Sequence, residues 1–184
     1  GFTCPNRDGT KGTGGCIYCS PSSLEPIGFF AGLNIKEQLS IGIEYIKKRH
    51  NAEKIIAYFQ INSNTYAPVD VLKDIYNQAA SHPLVVGLAV STRPDCVDED
   101  VISLLKELSK GKYLWLELGL QSANDNTLES INRCHTKGDF IKAVNLAKAN
   151  DIPVCAHVIL GLPDETREDM LHTARFLAGM DIWG

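Results

Sequence analysis

The chain of 184 residues lacks several features that would settle its class at once. No apolar run approaches the ~20 residues needed to span a bilayer. No charged-then-apolar leader stands before Cys4, so a soluble, cytoplasmic setting is expected. A basic excess is also missing. Lys and Arg number 18 against 22 Asp and Glu, a net charge of −4, and the basic residues are scattered rather than blocked. A nucleic-acid partner is therefore left open but unsupported, because binding a phosphate backbone usually needs a positive field. The stretch "GTKGTGG" has no Gly-Lys-Ser/Thr ending and no G-x-G-x-x-G follows a strand, which excludes both common phosphate cradles. Low-complexity tracts, sequence repeats and signs of a second domain are absent, and 44% hydrophobic with 22% charged residues suits one core over residues 1–184. The ends read as cuts in a longer chain: Gly1 stands three residues before the first cysteine, and "FLAGMDIWG" stops where a strand is expected.

What is present is alternation. The spacing predicts a helix over 35–49, with Asn34 as cap and Glu37 completing a capping box. Further helices are expected over 68–80, from the Asp98 cap to Ser109 with Gly111 ending it, from Asp125, from Asp139, and over 167–177. Between them "KIIAYFQIN", "LVVGLAVST", "YLWLELGLQS" and "PVCAHVILG" read as strands, and strands alternating with helices call for βαβ crossovers and a parallel sheet. Side chains alternate with period two along a strand. Leu84, Val86, Leu88 and Val90, and likewise Leu114, Leu116, Leu118 and Leu120, form uniformly aliphatic faces for the helices. The opposite face is mixed, with Gln60, Ser91, Gln121 and His157 toward the carboxyl ends of the strands. Burying such groups unpaired would cost ~1 to 3 kcal/mol each, so the mixed face should line a cavity open at those ends. The expected fold class is α/β: a partial, open TIM-type α/β barrel with parallel strands, truncated at both ends.

Six cysteines in a reducing compartment read as metal ligands or catalysts rather than disulfides. Three fall in "CPNRDGTKGTGGCIYC": Cys4, Cys16 and Cys19, with eleven glycine-rich residues between the first two. A thioredoxin-type dithiol would leave Cys4 idle. Structural zinc needs four ligands, and Cys96, Cys134 and Cys155 fall singly on later elements. Three thiolates without an evident fourth suit a cubane iron–sulfur cluster with one iron free. Gly9, Gly12, Gly14 and Gly15 would permit left-handed backbone and close approach to such a cluster.

The chain resembles the radical S-adenosylmethionine enzymes, in the branch containing oxygen-independent coproporphyrinogen oxidase and the elongator catalytic subunit, nearest an uncharacterised bacterial and archaeal group. The resemblance rests on the three cysteines with an aromatic, Tyr18, before the last, on "GLQSANDNTLESINRCHTKGDF", and on "HVILGLPDET". The long first cysteine spacing is similar to that of the elongator-like members. The resemblance implies a [4Fe–4S] cluster held by Cys4, Cys16 and Cys19, S-adenosylmethionine on the free iron, and an external one-electron reductant of flavodoxin or ferredoxin type. It implies that Gln121 and Arg133 contact the methionine moiety, and that Gly161, with Leu162 and Pro163, shapes the adenine pocket. His157 and Ser91 replace acids of the porphyrin enzyme, one of which reaches the ribose. Gln60 stands where many relatives run a Gly-Gly-Glu turn at the substrate's amine, and could accept or donate there. The radical so formed would abstract hydrogen from a substrate that the sequence leaves unidentified, RNA entering by analogy alone.

Plainer readings stand beside these. Gln121 reads equally as an interior amide, Arg133 as a surface ion pair with Glu129 at helical spacing, and His157 as a core imidazole. Cys96, Cys134 and Cys155 read as plain thiols, and His50, His82 and His172 have no evident role. Glu117 is structural or substrate-facing, and Tyr58, Trp115 and Tyr66 line or pack the substrate end. A non-catalytic iron–sulfur or zinc scaffold, serving as a redox sensor, is the alternative function; it would have no use for polar residues at the barrel mouth.

Overall fold

The computed structural model describes residues 2–20 and 32–184. Helix α1 (Ile35–His50) begins at Asn34, whose side chain accepts from the Glu37 amide while Glu37 reaches back to the Asn34 N–H, as the capping box requires. Strand β1 (Ile55–Phe59) and helix α2 (Val69–Ala80) follow, then β2 (Val85–Thr92) and a 3₁₀ turn at Pro94–Cys96. Next come α3 (Glu99–Ser109), capped by Asp98, and β3 (Tyr113–Gln121). The remainder is α4 (Asp125–Ser130), α5 (Lys137–Lys148), β4 (Val154–Val158) and α6 (Arg167–Ala178). No helix among the described residues is long and apolar enough to cross a membrane.

The four strands form one parallel sheet in the order β1-β2-β3-β4. A sequential order has no topological switch point. It is the arrangement of a barrel wall rather than of a doubly wound sheet, so an open α/β barrel segment is the observed fold. Leu88, Val90, Leu116, Leu118 and Leu120 are fully buried with Leu72, Tyr76, Leu105, Phe140 and Val144 of the helices. The opposite face carries Tyr58, Ser91, Glu117, Cys155 and His157 and is open. Beyond α6 the chain returns beside β4: Gly184 N–H donates to Val154 O at 3.3 Å and its carbonyl accepts from Ala156 N–H at 2.8 Å, a parallel pairing on the outer edge.

Four local expectations shift. Ile55 pairs with Val85 and Ile56 with Gly87, so Val86 is an extra residue in a bulge and Val85, not Val86, joins the core. Helix α5 starts at Lys137 because Thr136 caps it, with Asp139 at the third position closing the box. Helix α3 ends on right-handed Lys110, and Gly111 is not among the residues with positive φ. Strand β4 stops at Val158; Leu160 is exposed, and Ile159 packs with Leu128, Ile131 and Leu162 in a small second cluster.

Candidate functional site

The cysteine loop is anchored to the carboxyl ends of three strands. Beyond β1, Ser63 N–H donates to Thr3 O at 3.2 Å and Asn62 Nδ2 to Phe2 O at 2.9 Å. Beyond β2, Asp95 receives Lys11 Nζ at 2.8 Å. Beyond β3, Ile17 N–H donates to Ile131 O at 3.1 Å, and Asn132 Nδ2 donates to Gly15 O at 2.8 Å. The loop therefore lies over the sheet end that the strand faces mark as the mouth. Gly9, Gly14 and Gly15 have positive φ. Gly12 does not; it is needed for space, because a Cβ there would run into Asn6 Oδ1 and stand 2.9 Å from Cys134 Sγ.

Cys16 is buried, and two donors are aimed at its sulfur: Asn6 Nδ2 at 3.5 Å and Arg133 Nη1 at 3.5 Å. Burial alone would push the Cys16 thiol up, but the Arg133 charge and hydrogen bond, with those from Tyr18 and Asn6, bring it below its ordinary value. Arg7 donates to Cys19 O at 2.8 Å; hydrogen bonding to the Cys19 side chain, with the charges of Cys19, Cys4 and Cys16, raises its pKa against desolvation. Tyr18 is half-exposed, and burial together with the neighbouring thiols raises its phenol. No three His, Cys, Asp or Glu side chains among the described residues converge on one metal-ion position. A mononuclear zinc needs such convergence; a four-iron cube gives each cysteine its own iron and keeps the sulfurs apart.

Beneath the loop, Arg133 is buried and turned inward. Left-handed Asn132 and Cys134 (φ 53° and 57°) flank it, and its guanidinium donates from Nη2 to Gly119 O at 2.8 Å and from Nε to His135 Nε2 at 2.8 Å. Those bonds, not an ion pair with Glu129, place it. His135 Nε2 faces both Arg133 Nε–H and, at 3.1 Å, Gly119 O, while Nδ1 stands 3.2 Å from Thr136 O. Burial, then the Arg133 and Arg93 charges, lower its pKa to about 4. Gly119 leaves the room for all this, since a Cβ there would meet Gln121 Nε2 at 2.5 Å and Arg133 Nη2 at 2.7 Å.

The model of the Radical SAM superfamily matches residues 7–177. The chain belongs to the radical SAM superfamily. It is 43% identical over 188 aligned residues to the uncharacterised protein YtqA of Bacillus subtilis, covering 100% of this chain and 57% of YtqA. The chain thus spans about half the length of the curated relatives it matches. Among solved structures it is similar to Elp3 of Methanocaldococcus infernus, with TM-score 0.67, 22% identity, 85% of this chain and 40% of Elp3 covered. It is also similar to coproporphyrinogen III oxidase HemN of Escherichia coli, with TM-score 0.63, 15% identity, 91% of this chain and 39% of HemN covered. At such identities the structural likeness speaks for the fold alone, a fold those two branches share with this radical SAM chain.

On this radical SAM core the remaining sequence-derived residues occupy two levels. At the mouth, Gln121 is half-buried with φ 73°, its amide folded over Gly119, where a bulge shifts the β3–β4 register. Gly161 has φ 78° and is exposed, Leu162 behind it is buried, and Gln60 is exposed just past β1. One level deeper Ser91 pairs in register with Glu117. His157, which the backbone register sets opposite Gly119, reaches down to Glu117 Oε2 at 3.0 Å while its side chain stays 47% exposed, so it is no core imidazole. Glu117 also accepts from Tyr58 Oη at 2.6 Å and from Trp115 Nε1 at 2.9 Å. Partial burial and that carboxylate raise the Tyr58 phenol.

Two residues given no role by the sequence reading belong here. His135 holds the Arg133 fork; its only signal was its place in "NRCH". Arg93 is buried at the end of β2 and forks onto Asp95 at 2.9 and 3.0 Å. Burial opposes the Arg93 charge, but Asp95 and the Cys4 and Cys96 thiols outweigh it and raise its pKa. Burial likewise opposes the Asp95 charge, which Arg93 and Lys11 hold below the usual carboxylate range. Cys96 beside them is pushed up to about 12 by burial and Asp95, a protonated small hydrophobe.

Proposed function

We propose that the chain is the catalytic core of a radical SAM enzyme in which Cys4, Cys16 and Cys19 hold a [4Fe–4S] cluster and the strand ends hold S-adenosylmethionine. The observation that carries this reading is the three-cysteine loop seated on the carboxyl ends of the strands with two N–H donors directed at the Cys16 sulfur. The donor set fits the cluster: three free cysteines for thiolate ligation and N–H groups at Cys16 of the kind that neutralise bound sulfur. Arg93 supports it further. Its Nη1 is buried without a partner among the described residues, a cost of ~1 to 3 kcal/mol that an anionic group beside Cys4 would relieve.

When bound, the cluster and S-adenosylmethionine supply one-electron cleavage to a 5′-deoxyadenosyl radical that removes hydrogen from a substrate carbon. The residues of the chain bind and orient. Arg133 and Asn6 donate toward the Cys16 sulfur and favour its thiolate form, and Tyr18 stands beside it in the loop. Gln121 offers its amide to the methionine moiety, and the N–H groups that Arg133 leaves unused can fork onto a carboxylate. Gln60 faces the amine, Ser91 and His157 the ribose, and Gly161 opens the adenine pocket. A flavodoxin- or ferredoxin-type protein supplies the electron. RNA modification is a reading by analogy, prompted by relatives such as the tRNA uridine(34) acetyltransferase of Methanocaldococcus jannaschii.

The test is anaerobic reconstitution of the full-length protein with iron and sulfide, reduction with dithionite, and assay for 5′-deoxyadenosine. Cleavage is expected, and Cys16→Ala abolishes it. Iron-loaded protein that leaves S-adenosylmethionine intact and binds none by calorimetry would establish the non-catalytic reading instead.

A further inference from the structure

We infer that Arg133 sets the reduction potential of the cluster through its N–H to Cys16, and that His135 is the positioning residue that aims it. This rests on the reading just given and deepens it. A guanidinium on a flexible stem reaches a thiolate specifically only if its plane is fixed. Here two acceptors fix it from one side: His135 Nε2 takes Nε–H at 2.8 Å and Gly119 O takes Nη2 at 2.8 Å, which leaves Nη1 facing Cys16 Sγ at 3.5 Å. The His135 ring is in turn placed by Nδ1, 3.2 Å from Thr136 O at the capped start of α5, and by Nε2, 3.1 Å from Gly119 O. Removing the imidazole acceptor frees one edge of the fork and lets the group rotate off the sulfur.

The sign follows from charge. Reduction places one more electron on the cluster and its thiolates, so a cationic N–H donor on a ligand sulfur favours the reduced form and raises the potential. Losing the donor makes the cluster harder to reduce. Arg133 is 7% and His135 6% exposed, so little water is present to replace the lost bond.

The experiment is an EPR-monitored redox titration of the full-length reconstituted protein without S-adenosylmethionine, comparing wild type with Arg133→Met, His135→Leu and His135→Gln. Arg133→Met and His135→Leu should each shift the reduced-to-oxidised ratio at fixed potential about tenfold toward oxidised, which is 59 mV for a one-electron couple. The double variant should shift no further than Arg133→Met alone, and His135→Gln, whose amide oxygen can accept from Nε–H, should stay near wild type. Unchanged potentials at normal iron content, or additive shifts, would overturn the proposal. Should the variants load iron poorly, wild-type protein labelled with ¹⁵N-arginine gives a second readout. A ¹⁵N coupling to the reduced cluster in pulsed EPR is expected, and its absence would count equally against the proposal. A wild-type protein that takes up no cluster at all would overturn the functional reading, an outcome distinct from a cluster whose potential ignores Arg133.

Discussion

At the scale of single residues the site depends on where a few side chains are forced to point. Gly119 is the clearest case. Gly119→Ala puts a methyl 2.5 Å from Gln121 Nε2 and 2.7 Å from Arg133 Nη2, a clash costing about 1 to 3 kcal/mol. Both groups must move, so calorimetry should find S-adenosylmethionine binding weakened at least tenfold while the circular dichroism of the fold is kept. Cys134 offers a contrast with Cys16. It is exposed and left-handed, its sulfur directed at Asn132, so Cys134→Asn should leave iron content unchanged where Cys16→Ala lowers it. His135 gives a pH prediction. Its folded pKa of about 4 lies below the ordinary 6.5, so between those values the unfolded chain binds the extra proton and stability falls as pH falls. Arg133, Arg93 and Asp95 are the charged groups that act on it. Thermal melts should show the wild type losing more stability from pH 6.5 to 4 than His135→Gln, which has no proton to gain. The sequence could not reveal these roles, because Arg133 four residues after Glu129 is as compatible with a surface pair as with an inward fork. The bonds to Gly119 O and His135, made between two left-handed residues, decide.

Among the elements, caps and faces were legible and bulges were not. Asn34 with Glu37, and Asp98, announce helix starts because their side chains satisfy amides that a helix leaves open. The start of α5 was read two residues late because Asp139 is a plausible cap until Thr136 is seen to hold it. Thr136→Ala should cost about 1 kcal/mol, seen as a lower urea midpoint, and should loosen His135 beside it. Leucine on every second residue of β3 gave its buried face directly. A bulge inserts one residue without changing composition, so Val86 was assigned to the core in place of Val85. The Glu117 hub escaped for a related reason. Its partners Tyr58 and His157 lie on other strands, and only the register of all four strands brings them together.

For the whole molecule, sequential parallel order places every strand end on one rim, and that rim is where the cysteine loop docks. The core behind it is ordinary: Leu116→Ala, at a fully buried position, should cost about 2 to 5 kcal/mol by removing packing. Barrel architecture, the three cysteines and the mixed face could all be read from the sequence, because each rests on local periodicity or spacing. Substrate choice could not, since the open face presents Tyr58, Trp115 and His157 without a charge pattern that names a ligand. The central claim is that the three-cysteine loop carries a cluster with one iron open to S-adenosylmethionine. The most direct measurement is electron–nuclear double resonance on the dithionite-reduced full-length protein with amino-¹⁵N S-adenosylmethionine. A ¹⁵N coupling to the cluster is expected, and it vanishes in Cys16→Ala. A reduced cluster with no such coupling would contradict the claim.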